Sequence, residues 1–295
     1  MQNKKKSVLS NLITGFIAII MVAGIGLLLY PTISEKWNAL HQSRIIAGYT
    51  EQLASDDSKH IEEEWNDAVS YNEALPLKAD RYKMSESDTD EYNKLLDTTG
   101  TGIMGFITIP KIDVKLPVYH STDESVLQIG VGHIPGSSLP VGGKSCHTVL
   151  SGHRGLPSAK LFTRLDEMAK SDIFALHVLG KVLIYEVEDI SIVLPDEINS
   201  INIEDGKDYC TLVTCTPYGV NTHRMLVRGE HTETISEEEY ASRNYEGSAV
   251  STVTSDETND SQGHEIPEYL PIAFAGFAVL VLGFALFAPV KKEKS

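Results

Sequence analysis

The stretch TLVTCTPYGVNTHR, residues 211–224, places a thiol close to a cation. Cys215 ends a run of β-forming residues, and Pro217 cannot donate a ladder hydrogen bond, so the strand is predicted to stop at the thiol. A free thiol is mostly protonated at neutral pH and becomes a strong nucleophile only beside a cation. The pattern therefore indicates a nucleophilic cysteine at a strand end. The competing interpretation is a small, buried, inert cysteine, which is the commoner role of a free thiol.

The cation that the pattern offers is Arg224, which follows a tight Pro-Gly turn on the next predicted strand. Side chains alternate along a strand, so Arg224 and Arg228 share one face of it. Because a guanidinium cannot exchange protons at neutral pH, thiol chemistry also needs an acid/base histidine. His153, in SGHRG, is the candidate, since it ends another predicted strand between two glycines that would let a substrate backbone approach. The competing histidines are His133, His147, His177 and His223.

A β-rich region must position these residues. From Gly102 onwards, short runs rich in Ile, Val, Tyr and Thr alternate with Pro, Gly and Asp, which is typical of strands and turns. About seven such runs predict a closed barrel or a sandwich, with a hairpin turn at Gly180. Only PSAKLFTRLDEM has a helical pattern, with Ser158 as its N-cap. The runs are MGFITI, VKLPVYH, HTVLSGH, IFALHVL, KVLIYEVEDISIVL, YCTLVTC and RMLVRGE.

Helical periodicity precedes the β region. Apolar residues recur at helical spacing from Pro31 to about Leu75, which predicts helices leading away from the first apolar segment. The polar stretch PLKADRYKMSESDTDEYN, residues 76–93, lacks a clear period and is predicted to be a long loop. Loops of this length in compact domains are often functional.

Two apolar runs predict membrane spans. Val8–Tyr30 carries no charge and would rise about 35 Å as a helix, enough to cross a hydrocarbon core of about 30 Å. The second run is Leu270–Val290. Lysines flank the outer end of each run, so the positive-inside rule predicts that both termini are cytoplasmic and that the segment between the spans lies outside the membrane.

The charge of the intervening segment excludes one large class of partner. Removing the six terminal lysines and Glu293 from the 25 basic and 41 acidic residues leaves a net charge of −21 between the spans. A field of that sign repels phosphate backbones, so we expect no nucleic-acid binding. The most acidic part, residues 231–269, is predicted to be a solvated tether to the second span.

The sequence predicts neither a metal nor a cofactor. It has no His-x-x-x-His pair and no Cys-x-x-Cys pair, and VGGKS lacks the first glycine of a phosphate-binding loop. On an extended strand Cys210 and Cys215 would lie about 16 Å apart, whereas a disulfide needs Cα atoms within about 7 Å. A bridge between Cys146 and Cys210 remains an alternative.

Several blocks together resemble the sortases, cysteine transpeptidases of Gram-positive cell surfaces, and in particular their class C, pilus-assembling group. The similarity covers most of residues 71–230, and a C-terminal membrane span is also typical of that group. The blocks are YNEALP, GIMGFITIPKIDVKLPVYHSTDESVLQIGVGHIPGSSLPVGG, HTVLSGHRGLPSAKLFTRLDEM and TLVTCTPYGVNTHRMLVRGE.

The resemblance implies a mainly β fold, an eight-stranded sortase-type barrel with N-terminal helices and a transmembrane helix at each end. It implies that Cys215 is the nucleophile, His153 the acid/base, and Arg224 the stabiliser of the oxyanion or the positioner of substrate. Thr214 is a weaker candidate for the oxyanion region.

The resemblance also implies a substrate and a place of action. The enzyme would cleave LPXTG-like sorting signals of pilin subunits through a thioacyl intermediate, and it would join them by isopeptide bonds to a lysine of another pilin. It would act at the cell membrane of a Gram-positive bacterium without any cofactor. The alternatives are a sortase that transfers surface proteins to a peptidoglycan precursor, and an inactive scaffold that only binds pilins.

Class C sortases often carry a lid with an Asp-Pro-aromatic motif, whose acid meets the arginine and whose ring covers the thiol. Here the loop after YNEALP offers Asp80-Arg81-Tyr82 without the proline. Asp80 and Tyr82 are the lid candidates, and replacing both is predicted to speed peptide cleavage or thiol alkylation.

The predicted domains follow from these boundaries. They are a cytoplasmic tail and anchor (1–30), extracytoplasmic helices with the lid loop (31–101), a catalytic barrel (102–230), an acidic tether (231–269), and a C-terminal span with a basic tail (270–295).

Overall fold

The computed structural model describes residues 2–78, 80–243 and 245. Helix α1, Gln2–Ser55, contains an apolar segment long enough to cross a membrane by length and composition, and within the described residues it is the one helix that meets this test. The described residues from Glu35 to Tyr245 belong to one compact unit. The second predicted span, Leu270–Val290, lies outside the described residues, as does most of the predicted tether.

Two further helices precede the barrel. Helix α2, Ser58–Ala74, begins at Asp57, whose side chain accepts a hydrogen bond from a backbone N–H of the first turn. Helix α3, Glu86–Lys94, begins at a capping box in which Ser85 and Asp88 satisfy each other's backbone N–H groups. The prediction of one long loop over residues 76–93 was therefore wrong, because α3 is polar on nearly every face and lacks an apolar period.

Eight strands form a closed barrel in the order β1-β2-β3-β4-β7-β8-β6-β5, which confirms the predicted eight-stranded barrel. The β2–β3 and β4–β7 pairs are parallel, and the other pairs are antiparallel. The strands are β1 (Ile103–Ile109), β2 (Val114–His120), β3 (Val131–His133), β4 (Cys146–Ser151), β5 (Ile173–Val178), β6 (Lys181–Val193), β7 (Asp208–Thr216) and β8 (His223–Ser236).

Strands β4, β7 and β8 each bury apolar residues on both faces, which explains adjacent apolar residues such as Leu212 and Val213. Leu150, Leu212 and Val227 lie in the main core and are fully buried. By alternation, Val213 and its β8 partner Leu226 face the other way, and they form a second buried cluster with Val149. Ile134, Val193 and Ile201 pack against this second cluster, which we call the outer cluster.

The hairpin predicted at Gly180 is confirmed, since β5 and β6 pair across a Leu179–Gly180 turn in which both residues have positive φ. The helix predicted over residues 157–168 was wrong. That segment contains turns and only a 3₁₀ turn at Leu165–Glu167. Leu161 has a φ of 39°, which is incompatible with a continuous α-helix.

Strand β8 extends to Ser236, beyond the predicted end of the barrel at residue 230. Helix α5, Glu237–Ser242, follows directly and begins at Ser236, whose hydroxyl accepts a hydrogen bond from the N–H of Glu239. The first part of the predicted acidic tether is therefore ordered structure. Its acidic composition misled the prediction because one face of a strand can remain solvated while the strand pairs with its neighbour.

Candidate active site

Strand β7 lies between β4 and β8, and this arrangement positions the predicted catalytic residues. Cys215 is paired directly with Arg224 across the antiparallel β7–β8 ladder. On the other side of β7, the parallel pairing with β4 aligns Ser151 with Val213. The N–H of Gly152 extends this pairing by donating to the carbonyl of Val213 at 3.0 Å. His153 therefore lies at the level of Cys215, two residues beyond the aligned pair. The three predicted residues belong to neighbouring chain segments at one end of the barrel.

The three thiols of the sequence have different environments. All three are free, so the alternative Cys146–Cys210 disulfide is wrong. Burial raises the pKa of the Cys146 thiol to about 12 and that of Cys210 well above its ordinary value. Cys215 is only half-buried. By alternation it lies on the same face of β7 as Val213, beside the outer cluster.

The competing histidines are engaged elsewhere. Burial lowers the pKa of His133 and of His147 to about 4, and both nitrogens of each ring lie within hydrogen-bond distance of a partner. His177 is 2% exposed and contacts Thr108 and the Glu237 carboxylate. His223 pairs with Thr216, so by alternation it lies on the face opposite to that of Arg224.

His153 is itself partly accessible, with 27% of its side chain exposed. Its Nε2 is buried and has no hydrogen-bond partner among the described residues. The carboxylate oxygen Oε1 of Glu124 lies 3.7 Å from that nitrogen. The ring is thus neither locked by short hydrogen bonds at Nε2 nor fully solvated, which suits a group that must exchange protons.

The glycines on either side of His153 have a different role from the predicted one. A Cβ at Gly152 would lie 2.6 Å from the ring of Phe162, and one at Gly155 would lie 2.7 Å from the ring of Tyr218. Gly155 also has a φ of +76°. These glycines make room for two aromatic side chains of the protein.

Arg154 is a residue that the sequence analysis overlooked. Its Nη1 donates to the hydroxyl of Thr216 at 3.2 Å, and its Nη2 forms an ion pair with Asp166. The guanidinium also lies 6.0 Å from the ring centroid of Tyr218. Only 10% of this side chain is exposed. Arg154 therefore connects the segment after His153 to the segment after Cys215, and its position directly after the predicted histidine was the available signal.

Arg224 and Thr214 both contact nearby backbone. Nη1 of Arg224 donates to the carbonyls of Asn221 and His223, at 3.2 and 3.1 Å, so the guanidinium lies over the turn that follows Cys215. Thr214 is buried, and its hydroxyl donates to the carbonyl of Gly152 at 2.8 Å. Thr214 thus ties the His153 segment to β7.

The two lid candidates differ in how they are held. The Asp80 side chain is 79% exposed, and its Oδ2 lies 3.9 Å from Lys83 Nζ. The hydroxyl of Tyr82 donates to the carbonyl of Ile201 at 3.2 Å, beside the outer cluster. No hydrogen bond or ion pair within the described residues joins Asp80 to Arg224. Of the two lid candidates, Tyr82 therefore holds its segment to the barrel and Asp80 does not.

Exposed apolar side chains lie at the same end of the barrel as the thiol. Ile192 and Leu194, at the end of β6, are 63% and 48% exposed. Tyr218 and Val220, just after β7, are 60% and 64% exposed. An apolar peptide segment could be recognised by such a surface.

Comparison with known proteins fits this geometry. Residues 107–232 match the model of the sortase domain. The chain is 30% identical over 189 residues to sortase D of Bacillus subtilis (strain 168), which covers 63% of this chain and 91% of that protein.

Two solved structures are also similar. Streptococcus pneumoniae sortase C, whose structure was described in terms of catalysis and pilin substrate specificity, is 43% identical with a TM-score of 0.59, over 64% of this chain and 97% of that one. Clostridium perfringens sortase C with the C-terminal cell wall sorting motif is 41% identical with a TM-score of 0.56, over 65% and 99%. The chain belongs to the sortase family of cysteine transpeptidases, and its structure is similar to those of class C members.

Proposed function

We propose that this sortase cleaves LPXTG-like sorting signals of pilin subunits and joins each cleaved signal to a lysine of another pilin. The observation that carries the proposal is the placement of Cys215 between Arg224 and the His153 segment, together with the burial of both other thiols. The similarity to sortase C structures described with a sorting motif and with pilin specificity supports the substrate class.

In the first half-reaction the Cys215 thiolate attacks the carbonyl carbon of the threonine in the sorting signal. His153, having taken the thiol proton, gives a proton to the departing amine as the peptide C–N bond breaks. Arg224 donates hydrogen bonds to the oxyanion of the tetrahedral intermediate or positions the substrate carbonyl. The product is a thioester between Cys215 and the threonine.

In the second half-reaction a lysine amine of another subunit attacks the thioester. His153 accepts a proton from the attacking nitrogen, the C–S bond breaks, and an isopeptide bond remains. Two acyl transfers of similar energy replace one amide exchange, so no external energy source is needed.

Membrane attachment fits this role. We propose that α1 anchors the enzyme in the cell membrane of a Gram-positive bacterium, with the barrel outside and a second span near the C-terminus. Substrates that are themselves held at the membrane would meet the enzyme at a raised effective concentration.

The test uses the full chain in detergent, incubated with synthetic LPXTG-containing peptides. Intact-protein mass spectrometry should show an acyl adduct that peptide mapping assigns to Cys215, and the Cys215→Ala variant should show none. An adduct on Cys146 or Cys210, or cleavage by Cys215→Ala, would overturn the proposed nucleophile.

The acceptor is tested separately. The thioacyl enzyme is offered either a pilin domain bearing a lysine or a peptidoglycan-like amine such as a short glycine peptide. Faster transfer to the pilin lysine supports pilus assembly. Faster transfer to the peptidoglycan-like amine would instead assign the enzyme to cell-wall anchoring.

A further inference from the structure

We propose that Glu124 is a positioning residue for His153, orienting its ring during acyl transfer. This inference rests on the proposed acid/base role of His153.

The fold brings Glu124 to this place through strand β3. Glu124 begins helix α4, Glu124–Leu127, in the connection between β2 and β3. Gly132 of β3 pairs with Ser151 at the end of β4, two residues before His153. A Cβ at Gly132 would lie 3.1 Å from the side chain of Leu127, so α4 packs closely over this part of β3. The contact between Glu124 and His153 therefore follows from sheet pairing.

A neighbouring amide holds the Glu124 carboxylate. Nε2 of Gln128 donates to Oε1 of Glu124 at 2.5 Å, across one helical turn. The same oxygen lies 3.7 Å from Nε2 of His153. This separation is too long for a hydrogen bond, but it is within ion-pair range. The Glu124 side chain is 72% exposed, so its charge is kept at little desolvation cost.

Other titratable or charged groups belong to the chain segments next to His153. The thiol of Cys215 belongs to β7, and the Arg224 guanidinium belongs to β8 on its far side. Arg154, the next residue, is engaged by Asp166 and Thr216. Within the described residues Glu124 supplies the only carboxylate within 4 Å of a His153 ring nitrogen.

This contact has a chemical consequence. When one ring nitrogen faces a carboxylate, the other is the nitrogen left to exchange protons with the reacting groups. With Nε2 facing Glu124, Nδ1 exchanges the proton with Cys215 and then with the amine. The carboxylate faces the ring while His153 takes the thiol proton, the arrangement of a third group orienting a base.

The test compares Glu124→Gln with Glu124→Asp and with Asp123→Asn, in the full chain in detergent. Asp123 is an adjacent exposed carboxylate with no contact to His153 among the described residues. Asp123→Asn therefore removes the same charge as Glu124→Gln, one residue away. Glu124→Gln should lower kcat about fivefold with KM nearly unchanged, as expected for loss of an exposed charge near 4 Å. Glu124→Asp should recover part of the loss, and Asp123→Asn should match the wild type.

A purely structural loss would lower the denaturant midpoint of unfolding as well as kcat. Glu124→Gln should unfold at the wild-type denaturant midpoint, with its loss confined to kcat. A wild-type kcat in Glu124→Gln would overturn the inference. If His153→Ala is inactive in the same assay, the proposed catalytic role of His153 survives that result, whereas an active His153→Ala would overturn the proposed catalytic role itself.

Discussion

Cys215 on β7 and Arg224 on β8 are directly opposite residues of one antiparallel pair. Directly opposite side chains project to the same face of a sheet with Cβ atoms about 5 Å apart. A cation on the residue opposite the sulfur can act on the thiolate, on a carbonyl attached to it, or on both. Substitutions at Arg224 separate its charge from its geometry.

Arg224→Lys keeps the charge but loses the planar fork of donors. We expect kcat for peptide cleavage to fall about 100-fold, with a smaller change in KM, because removal of one oxyanion donor costs about that factor in other enzymes. Steady-state cleavage of a fluorogenic sorting peptide measures it. Arg228→Lys, on the same face of β8, is the control. Equal rates for both variants would exclude an oxyanion role for Arg224.

Thiol labelling should distinguish the three cysteines. In the folded protein iodoacetamide should modify Cys215 alone, because burial raises the pKa of Cys146 and Cys210 and removes them from solvent. In denaturant all three should react. Peptide mapping by mass spectrometry measures the extent at each site. Native-state labelling of Cys146 at a rate near that of Cys215 would contradict the structure.

Arg154→Ala should weaken the link between the segments after His153 and Cys215. Loss of the bonds to Thr216 and Asp166 is expected to lower the free energy of unfolding by about 2 kcal/mol, with a lower kcat. Chemical denaturation and peptide cleavage measure the two effects. Asp166→Asn keeps the Thr216 bond and should have a smaller effect on both. Full activity in Arg154→Ala would show that the link does not support catalysis.

The hydrogen bond between Tyr82 and Ile201 predicts that Tyr82, and not Asp80, limits access to the Cys215 thiol. Tyr82→Ala should raise the rate of Cys215 alkylation about threefold, because it frees the Ile201 segment that packs on the outer cluster beside the thiol. Tyr82→Phe removes only the hydroxyl bond and should have a smaller effect. Asp80→Asn should change nothing, since that side chain is largely exposed and pairs with Lys83. An increase in Asp80→Asn equal to that in Tyr82→Ala would contradict this division.

Two buried histidines should make folding sensitive to acid. His133 and His147 have pKa values of about 4 in the folded protein against 6.5 for a free imidazole. The unfolded chain therefore binds more protons between these values, so stability falls as pH decreases from 6.5 to about 4, by about 3 kcal/mol for each residue.

Denaturant unfolding at several pH values measures this slope. His147→Gln should reduce the slope by about one proton, whatever its effect on stability at neutral pH. The control is His60→Gln, because the His60 side chain is 51% exposed. If the slope of unfolding free energy against pH is unchanged in His147→Gln, His147 is not buried in its neutral form.

Local patterns were sufficient for one half of the site and for every strand except the short β3, which was not among the predicted runs. The Pro-Gly turn and the alternation of side chains place Arg224 beside Cys215 without any tertiary information. His153 could not be selected in this way, because its proximity depends on the parallel β4–β7 pairing, which joins residues about 60 positions apart. Its position at a strand end between two glycines made it the candidate, but only the family resemblance set it clearly apart from four other histidines.

The two errors in the predicted helices also have local causes. Helix α3 was missed because it buries little beyond Tyr92, so no apolar period marks it, although the Ser85–Asp88 capping box was readable. The false helix over residues 157–168 had an apolar period, but Leu161 and Phe162 are each buried by separate turns rather than along one helical face.

The parallel pairing of β4 with β7 has a consequence for how substrate choice can change. Both strands run towards the same end of the barrel, and the chain between them makes the β5–β6 hairpin and the connection of residues 194–207. Insertions or replacements in that connection would alter the surface offered to a peptide while the sulfur and the imidazole keep their mutual spacing. New specificities can therefore arise in this fold by exchanging a connecting segment, with the reacting groups left intact.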